Sequence, residues 1–167
     1  MIQFVRLIFL LPFFNSILCA ESVLDKYGDR IELLGIPFKG PMELCQIFIA
    51  IFISIAFLQS GIDKIIDRKG NMEFLNVHFS KSFLIKAIPL MLSLLTILEL
   101  TGSLMLIYGI YFALAMRSTL WIFYGFVVIA ITLIILFCGQ RIAKDYLGAA
   151  DLVPYFILIM LGIMSMY

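Results

Sequence analysis

Residues 83–115 read FLIKAIPLMLSLLTILELTGSLMLIYGIYFALA. At about 1.5 Å per residue, such a helix crosses the roughly 30 Å hydrocarbon core of a bilayer with length to spare. The excess implies tilt, a kink at Pro89 or an end that projects from the bilayer. Three more apolar runs accompany it: Met42 to about Ile62, Thr119 to Cys138, and a stretch that starts near Ala149 or Leu152 and reaches Tyr167. Pro154 falls in the first turn of the last, where a missing backbone donor costs least. The expected fold is all-α, a polytopic membrane four-helix bundle over residues 42–167 behind an N-terminal signal-like segment.

Composition supports that reading. The chain is 63% hydrophobic and 14% charged, whereas soluble domains carry about 25% charged residues. A soluble fold could not cover so much apolar surface. The lipid bilayer is therefore the first partner. Net charge is +1 and the basic residues are dispersed, which leaves no electrostatic footprint for nucleic acid.

Residues 1–20 place Arg6 ahead of the apolar run Leu7 to Leu18, with small or polar residues around Ala20 and Glu21. This is the pattern of a signal peptide or of an uncleaved leader helix. Residues 21–41 read as an extracytoplasmic amphipathic segment at the membrane surface, with Val23, Leu24, Tyr27, Ile31 and Leu34 at helical spacing. Gly35, Pro37, Gly40 and Pro41 then break that helix.

The positions of Lys and Arg orient the spans. Lys64, Arg68, Lys69, Lys81 and Lys86 fall in the first interhelical connection and Arg141 and Lys144 in the third, while the second has only Arg117. The positive-inside bias makes the two richer connections cytoplasmic. Single-cysteine labelling in intact cells should modify Arg117→Cys and leave Lys69→Cys and Lys144→Cys protected; the opposite pattern would overturn this topology. Tyr108, Tyr111, Trp121 and Tyr124 would then form an aromatic belt at the outer interface.

Several chemistries are excluded by count. Cys19, Cys45 and Cys138 contain no Cys-x-x-Cys pair, so a dithiol redox motif is absent. Cys45 and Cys138 read as small apolar packing residues. His78 is the single histidine and reads as a surface residue, which rules out a haem held by two histidines and a histidine-rich zinc or di-iron site. No cofactor and no metal site are expected, and no constellation of acid, base and nucleophile names an enzymatic reaction.

The polar residues within the spans are the candidates for function. Glu99 lies within the second span, where insertion scales price a central carboxylate such as Asp at roughly 2.5–3.5 kcal/mol. It should face the bundle and be paired, hydrogen-bonded or protonated. Thr96 and Ser103 share its helical face. The residue is either a proton-handling or ligand-binding carboxyl, or a polar staple between helices. Gln59 and Asp63 are one helical turn apart, as are Arg141 and Asp145, and Arg141 can reach an acid on another span, Asp63 or Glu99. Gln59, Asp63, Glu99, Gln140 and Arg141 are therefore expected to converge as one polar cluster. Lys64, Lys144 and Asp145 read instead as a snorkelling interfacial collar. Gly102, Ser103, Gly125, Ala130 and Gly162 are the small residues that let helices approach.

Four stretches in order carry a resemblance: FLQSGIDK (57–64), GNMEFL (70–75), IPL followed by LELTG (88–102), and GQRIAKDYLGAA (139–150). On them the chain resembles the DoxX/DoxD-like family of small four-helix integral membrane proteins over residues 45–167. The resemblance implies a bacterial inner (cytoplasmic) membrane protein, in some members a subunit beside quinone-linked sulfur-oxidising or other redox machinery. It carries over Gly61, Asp63, Lys64, Glu99, Gly102, Gln140 and Arg141 as a polar signature without a catalytic mechanism. The leading expectation is an accessory or assembly subunit with membrane-protein partners. The alternative is a small-molecule carrier or quinone-reactive protein that uses Glu99 as a buried proton acceptor, with quinone or lipid as its ligand.

Overall fold

The computed structural model describes residues 31–33, 35–38, 40–80, 82–116 and 118–166. The signal-like segment 1–20 and most of the amphipathic segment lie outside them. The chain divides into two compact units, Met1–Cys45 and Gln46–Tyr167.

The described part of the first unit corrects the helical expectation where it reached Ile31–Leu33. Strands β1 (Ile31–Leu33) and β2 (Ile36–Phe38) form an antiparallel hairpin in which Leu33 faces Ile36. The turn uses Gly35 at φ 77°, a conformation that glycine adopts without steric cost. Pro37 lies opposite Glu32. The pair beyond the one flanking a two-residue turn exchanges no ladder hydrogen bonds, so a proline there forfeits none. In a helix the same proline would break the ladder. The apolar spacing matched a helix, but turn and breaker chemistry decided the outcome.

Among the described residues, four helices are long and apolar enough to cross a membrane. They are α1 (Pro41–Ile66), α3 (Ile88–Met116), α4 (Leu120–Ala143) and α5 (Tyr146–Met164); the shorter α2 (Arg68–His78) and a 3-10 turn (Phe83–Ala87) connect α1 to α3. Pro41 opens α1 at the position where a helix has no use for its N–H. Pro89 likewise falls in the first turn of α3, so it starts the helix and does not kink it. The surplus apolar length at this end is taken up by the 3-10 turn.

The third and fourth helices extend past the expected bounds, and both extensions have a local cause. Helix α4 runs on to Ala143 and stops where Lys144 adopts φ 63°. Asp145 then caps α5, its side chain accepting from the Gly148 N–H at 2.9 Å. The early start puts Pro154 inside α5, not in its first turn. The carbonyl of Ala150 loses its helical donor there. Hydropathy marks where a chain meets lipid, whereas caps mark where a helix begins.

The spans close into an antiparallel ring. Helix α1 meets α3 where Gly61 lies under Leu100. Helices α3 and α4 form a tight hairpin, with Gly109 against the backbone of Trp121 and Ile122, Gly125 against Leu106, and Gly102 against Ile129. Gly162 of α5 fits the ring of Phe126 on α4. Gln46 Nε2 donates to the Ser165 carbonyl at 2.7 Å and Tyr155 packs on Phe52 and Phe57, which joins α5 back to α1. The core is apolar, built around Ile53, Leu92, Leu106, Phe126, Ile129, Leu133 and Ile159. Buried hydroxyls satisfy themselves locally: Thr96 donates to Leu92 O, Ser103 to Leu100 O and Thr132 to Val128 O, the usual way a hydroxyl is accommodated in a dry helix.

The outer surface is that of a membrane bundle, with Phe48, Ile55, Leu90, Ile97, Leu104 and Ile157 exposed. Cys45 and Cys138 are exposed as well, contrary to the packing role expected of them. In a lipid-facing helix an apolar neighbourhood does not imply an interior position. Tyr108, Trp121 and Tyr124 cluster edge to face at the α3–α4 turn.

At the opposite end, Asp67 caps α2 through the Gly70 N–H, and Arg68 donates to Ser93 Oγ at 2.7 Å. His78 stacks on Phe74 and lies 3.5 Å from Asp145 Oδ2. Asp145→Ala removes a helix cap and should lower stability by about 1 kcal/mol, while Asp145→Asn, which keeps the capping oxygen, should lose much less. Equal losses for the two in chemical unfolding would assign the effect to the His78 contact instead.

Candidate functional site

The site grows from one buried carboxylate. Glu99 is 1% exposed, on the face of α3 turned toward the other helices. Ionised there without a partner it would be costly. Its partner is Lys64, whose Nζ lies 2.9 Å from Glu99 Oε2. The lysine comes from the last turn of α1, and the same ammonium donates to Ser60 Oγ at 2.6 Å and reaches Ser60 O at 3.4 Å. Three donor directions are thus held by one serine and one acid. The interfacial collar role expected for Lys64 is corrected: its side chain turns inward and is 17% exposed.

Local sequence explains the reach. Gly61 is one turn before Lys64, and a Cβ built on it would come within 2.8 Å of the Leu100 side chain and 3.6 Å of Glu99 Cβ. The missing side chain lets α1 and α3 approach where the ion pair forms. Spacing along one helix could not reveal this pair, since its two members are 35 positions apart. The available signal was Gly61 and Lys64 in one short stretch, with an unpaired acid on another span.

The remaining expected cluster members take other places. Gln59, Asp63 and Arg141 are exposed, and the Arg141 guanidinium lies over the Tyr146 ring at 4.7 Å, a cation–π contact on the bundle surface. Arg141 reaches neither acid proposed for it. Gln140 is half-buried beside a cavity of about 50 Å³ that Phe79, Ile88 and Met91 also line. Its buried Oε1 makes no hydrogen bond among the described residues. Thr96 and Ser103, on the Glu99 face, bond their own helix and leave the carboxylate to Lys64.

Beside the ion pair lies a cavity of about 200 Å³ to which all four spans contribute. Ser60 and Glu99 form its polar wall with Tyr155, and Phe57, Leu133 and Leu152 are among the apolar residues opposite. The Glu99 carboxylate has one oxygen engaged by Lys64, and a carboxylate accepts at both. The arrangement can take a hydrogen-bond donor from an otherwise apolar molecule. Among the described residues no group of three or more His, Cys, Asp or Glu side chains is placed to hold a metal ion.

Neither a comparison with curated proteins nor one with solved structures finds a match. A family model described as DoxX matches residues 47–137. That stretch runs from the start of α1 to near the end of α4 and carries Gly61, Lys64, Glu99 and Gly102, while Gln140 and Arg141 fall beyond it. The match covers more than half of the chain and includes both members of the buried ion pair, so this multi-pass membrane protein belongs to the DoxX family.

Proposed function

We propose that the chain binds the polar end of a small lipid-soluble molecule, of the quinone or lipid class, at the Lys64–Glu99 pair and exchanges a proton with it through Glu99. The observation that carries this reading is the cavity beside a carboxylate that is itself almost fully withdrawn from the surface. Protein interiors are close-packed. A carboxyl that served only to staple α1 to α3 would need no such space beside it. Lys64 holds one Glu99 oxygen, which leaves the other to accept from a bound hydroxyl.

Substitution at Glu99 tests this directly. Glu99→Gln retains hydrogen bonding but cannot ionise, so it should leave a folded protein at normal abundance while abolishing the cellular phenotype or the activity of a partner complex. Glu99→Leu is the control that fits a dry core. Full function with leucine would remove the carboxyl from the mechanism.

A second reading is favoured by a different observation. Only 17% of the hydrophobic window of α5 is buried, against 39% in each of the other spans. Such a helix has the most surface to offer another membrane protein, which suits an accessory or assembly subunit of a redox complex in a bacterial inner membrane. The two readings are compatible, and mild extraction followed by identification of copurifying proteins, quinones and lipids separates them.

A further inference from the structure

The Glu99 cavity has an apolar neighbour. Between α4 and α5 runs a groove of about 250 Å³ lined by Leu133, Ile134, Phe137, Leu152, Val153 and Phe156. It has no charged side chain in its lining, and Leu133 and Leu152 belong to both spaces. These two leucines line both spaces, so the two meet along one seam. Ile134, Phe137 and Val153 are exposed on the bundle surface, where the bilayer lies, so the groove faces acyl chains. A typical small-molecule site occupies roughly 300–1,000 Å³, which neither space reaches alone and both together do.

We infer that the two spaces form one site for a single-chain amphiphile, with a hydroxyl head on Glu99 and a hydrocarbon tail laid through the α4–α5 seam past Leu133 and Leu152. This rests on the ligand-binding reading of Glu99 and adds the ligand's shape, its orientation and its route of entry, which is sideways from the bilayer. The chemistry argues for a hydroxyl and against an anionic head, because Lys64 is already neutralised by Glu99 and held by Ser60. A second negative charge would meet an occupied cation and a buried carboxylate. The chemistry argues for one chain, because the groove that adjoins the cavity through Leu133 and Leu152 is a single apolar seam. Two sources supply such a molecule: an isoprenoid hydroquinone and a monoacyl lipid with a free hydroxyl.

Photolabelling of the full chain in phospholipid vesicles tests the proposal. The first probe is a long-chain alcohol with a diazirine midway along its tail, and the second is a diazirine-bearing benzyl alcohol short enough for the inner cavity alone. The long probe should mark Ile134, Phe137, Val153 or Phe156. Glu99→Gln, which keeps shape and polarity, should reduce that labelling about tenfold, the loss expected for one hydrogen bond to a charged group. Val153→Trp, which fills the groove from its outer rim, should reduce labelling by the long probe and leave labelling by the short one unchanged. Long-probe labelling spread over lipid-facing residues such as Leu104 and Ile107, and insensitive to both substitutions, overturns the seam. If the short probe still marks Phe57 or Leu136 in a Glu99-dependent way, the cavity reading survives that result; if neither probe does, both readings fall. Competition by unlabelled ubiquinol or by unlabelled monoacylglycerol then identifies the source of the natural ligand.

Discussion

Lys64→Met strands the Glu99 carboxylate inside the bundle and is expected to cost about 3–5 kcal/mol, the usual penalty for removing one partner of a buried ion pair. Glu99→Leu should cost less. The lysine it orphans is 17% exposed and sits in the last turn of α1, so its flexible stem can carry the ammonium outward to the interface. Glu99, at 1% exposure and about 16 Å from the start of α3, has no such escape. The double variant Lys64→Met/Glu99→Leu should recover most of the loss, since well-packed apolar replacements of buried pairs are often neutral or stabilising. Unfolding midpoints in mixed micelles of increasing sodium dodecyl sulfate would measure all three. Equal losses for the two single variants, with strict additivity in the double, would show that the charges do not interact in the folded protein.

The asymmetry bears on function as well as stability. Lys64 acts as a positioning residue, since its ammonium holds one Glu99 carboxylate oxygen at 2.9 Å. Both single variants should therefore lose activity, and so should the double even where it recovers the fold.

Gly109→Val should be the most damaging change in the apolar core. A Cβ at this position would come within 2.6 Å of the Ile122 backbone nitrogen and 2.9 Å of the Trp121 carbonyl carbon. Backbone cannot rotate away as a side chain can. Helices α3 and α4 would have to separate, at a cost of about 2–3 kcal/mol in the upper range for overpacking. Gly139→Ala provides the contrast. The atom nearest to a Cβ there is 3.7 Å away on the Phe79 ring, so alanine fits at ordinary contact distance and should gain up to about 1 kcal/mol from helix propensity. A Gly109→Val protein as stable as Gly139→Ala would mean that the hairpin is looser than the structure gives it.

Much of this architecture was legible from residues. Four apolar runs and scarce charge force helices in lipid, because a backbone in hydrocarbon must satisfy its own hydrogen bonds. Small residues such as Gly102, Gly125 and Gly162 announced close helix contacts because only a missing side chain permits them. Glu99 could be singled out because a charge within a span is expensive wherever it points. Boundaries were less legible: Pro154 was assigned to a first turn because hydropathy rises near Ala149 or Leu152, whereas the Asp145 cap starts the helix at Tyr146. The hairpin at Ile31–Phe38 was hidden by apolar spacing that suits a helix, although Gly35 and Pro37 held the contrary signal.

The partner of Glu99 belonged to tertiary structure alone. Sequence spacing ranks neighbours only along one helix, and it offered Arg141 to Glu99 while it read Lys64 as part of the interfacial collar. Which of them meets the acid depends on how α1 and α3 are rotated and how closely they lie, and that was settled by Gly61 under Leu100. The same packing turned Gln59 and Asp63 outward, while Arg141 of α4 lies exposed over the Tyr146 ring, and a space lined by all four spans opened beside Glu99. The sequence by itself determined that a bilayer would surround this chain and that Glu99 would need compensation within it. Only the packing of the helices decided that Lys64 supplies it, because a charge in low dielectric is stabilised by whichever opposite charge the backbone brings within about 3–4 Å.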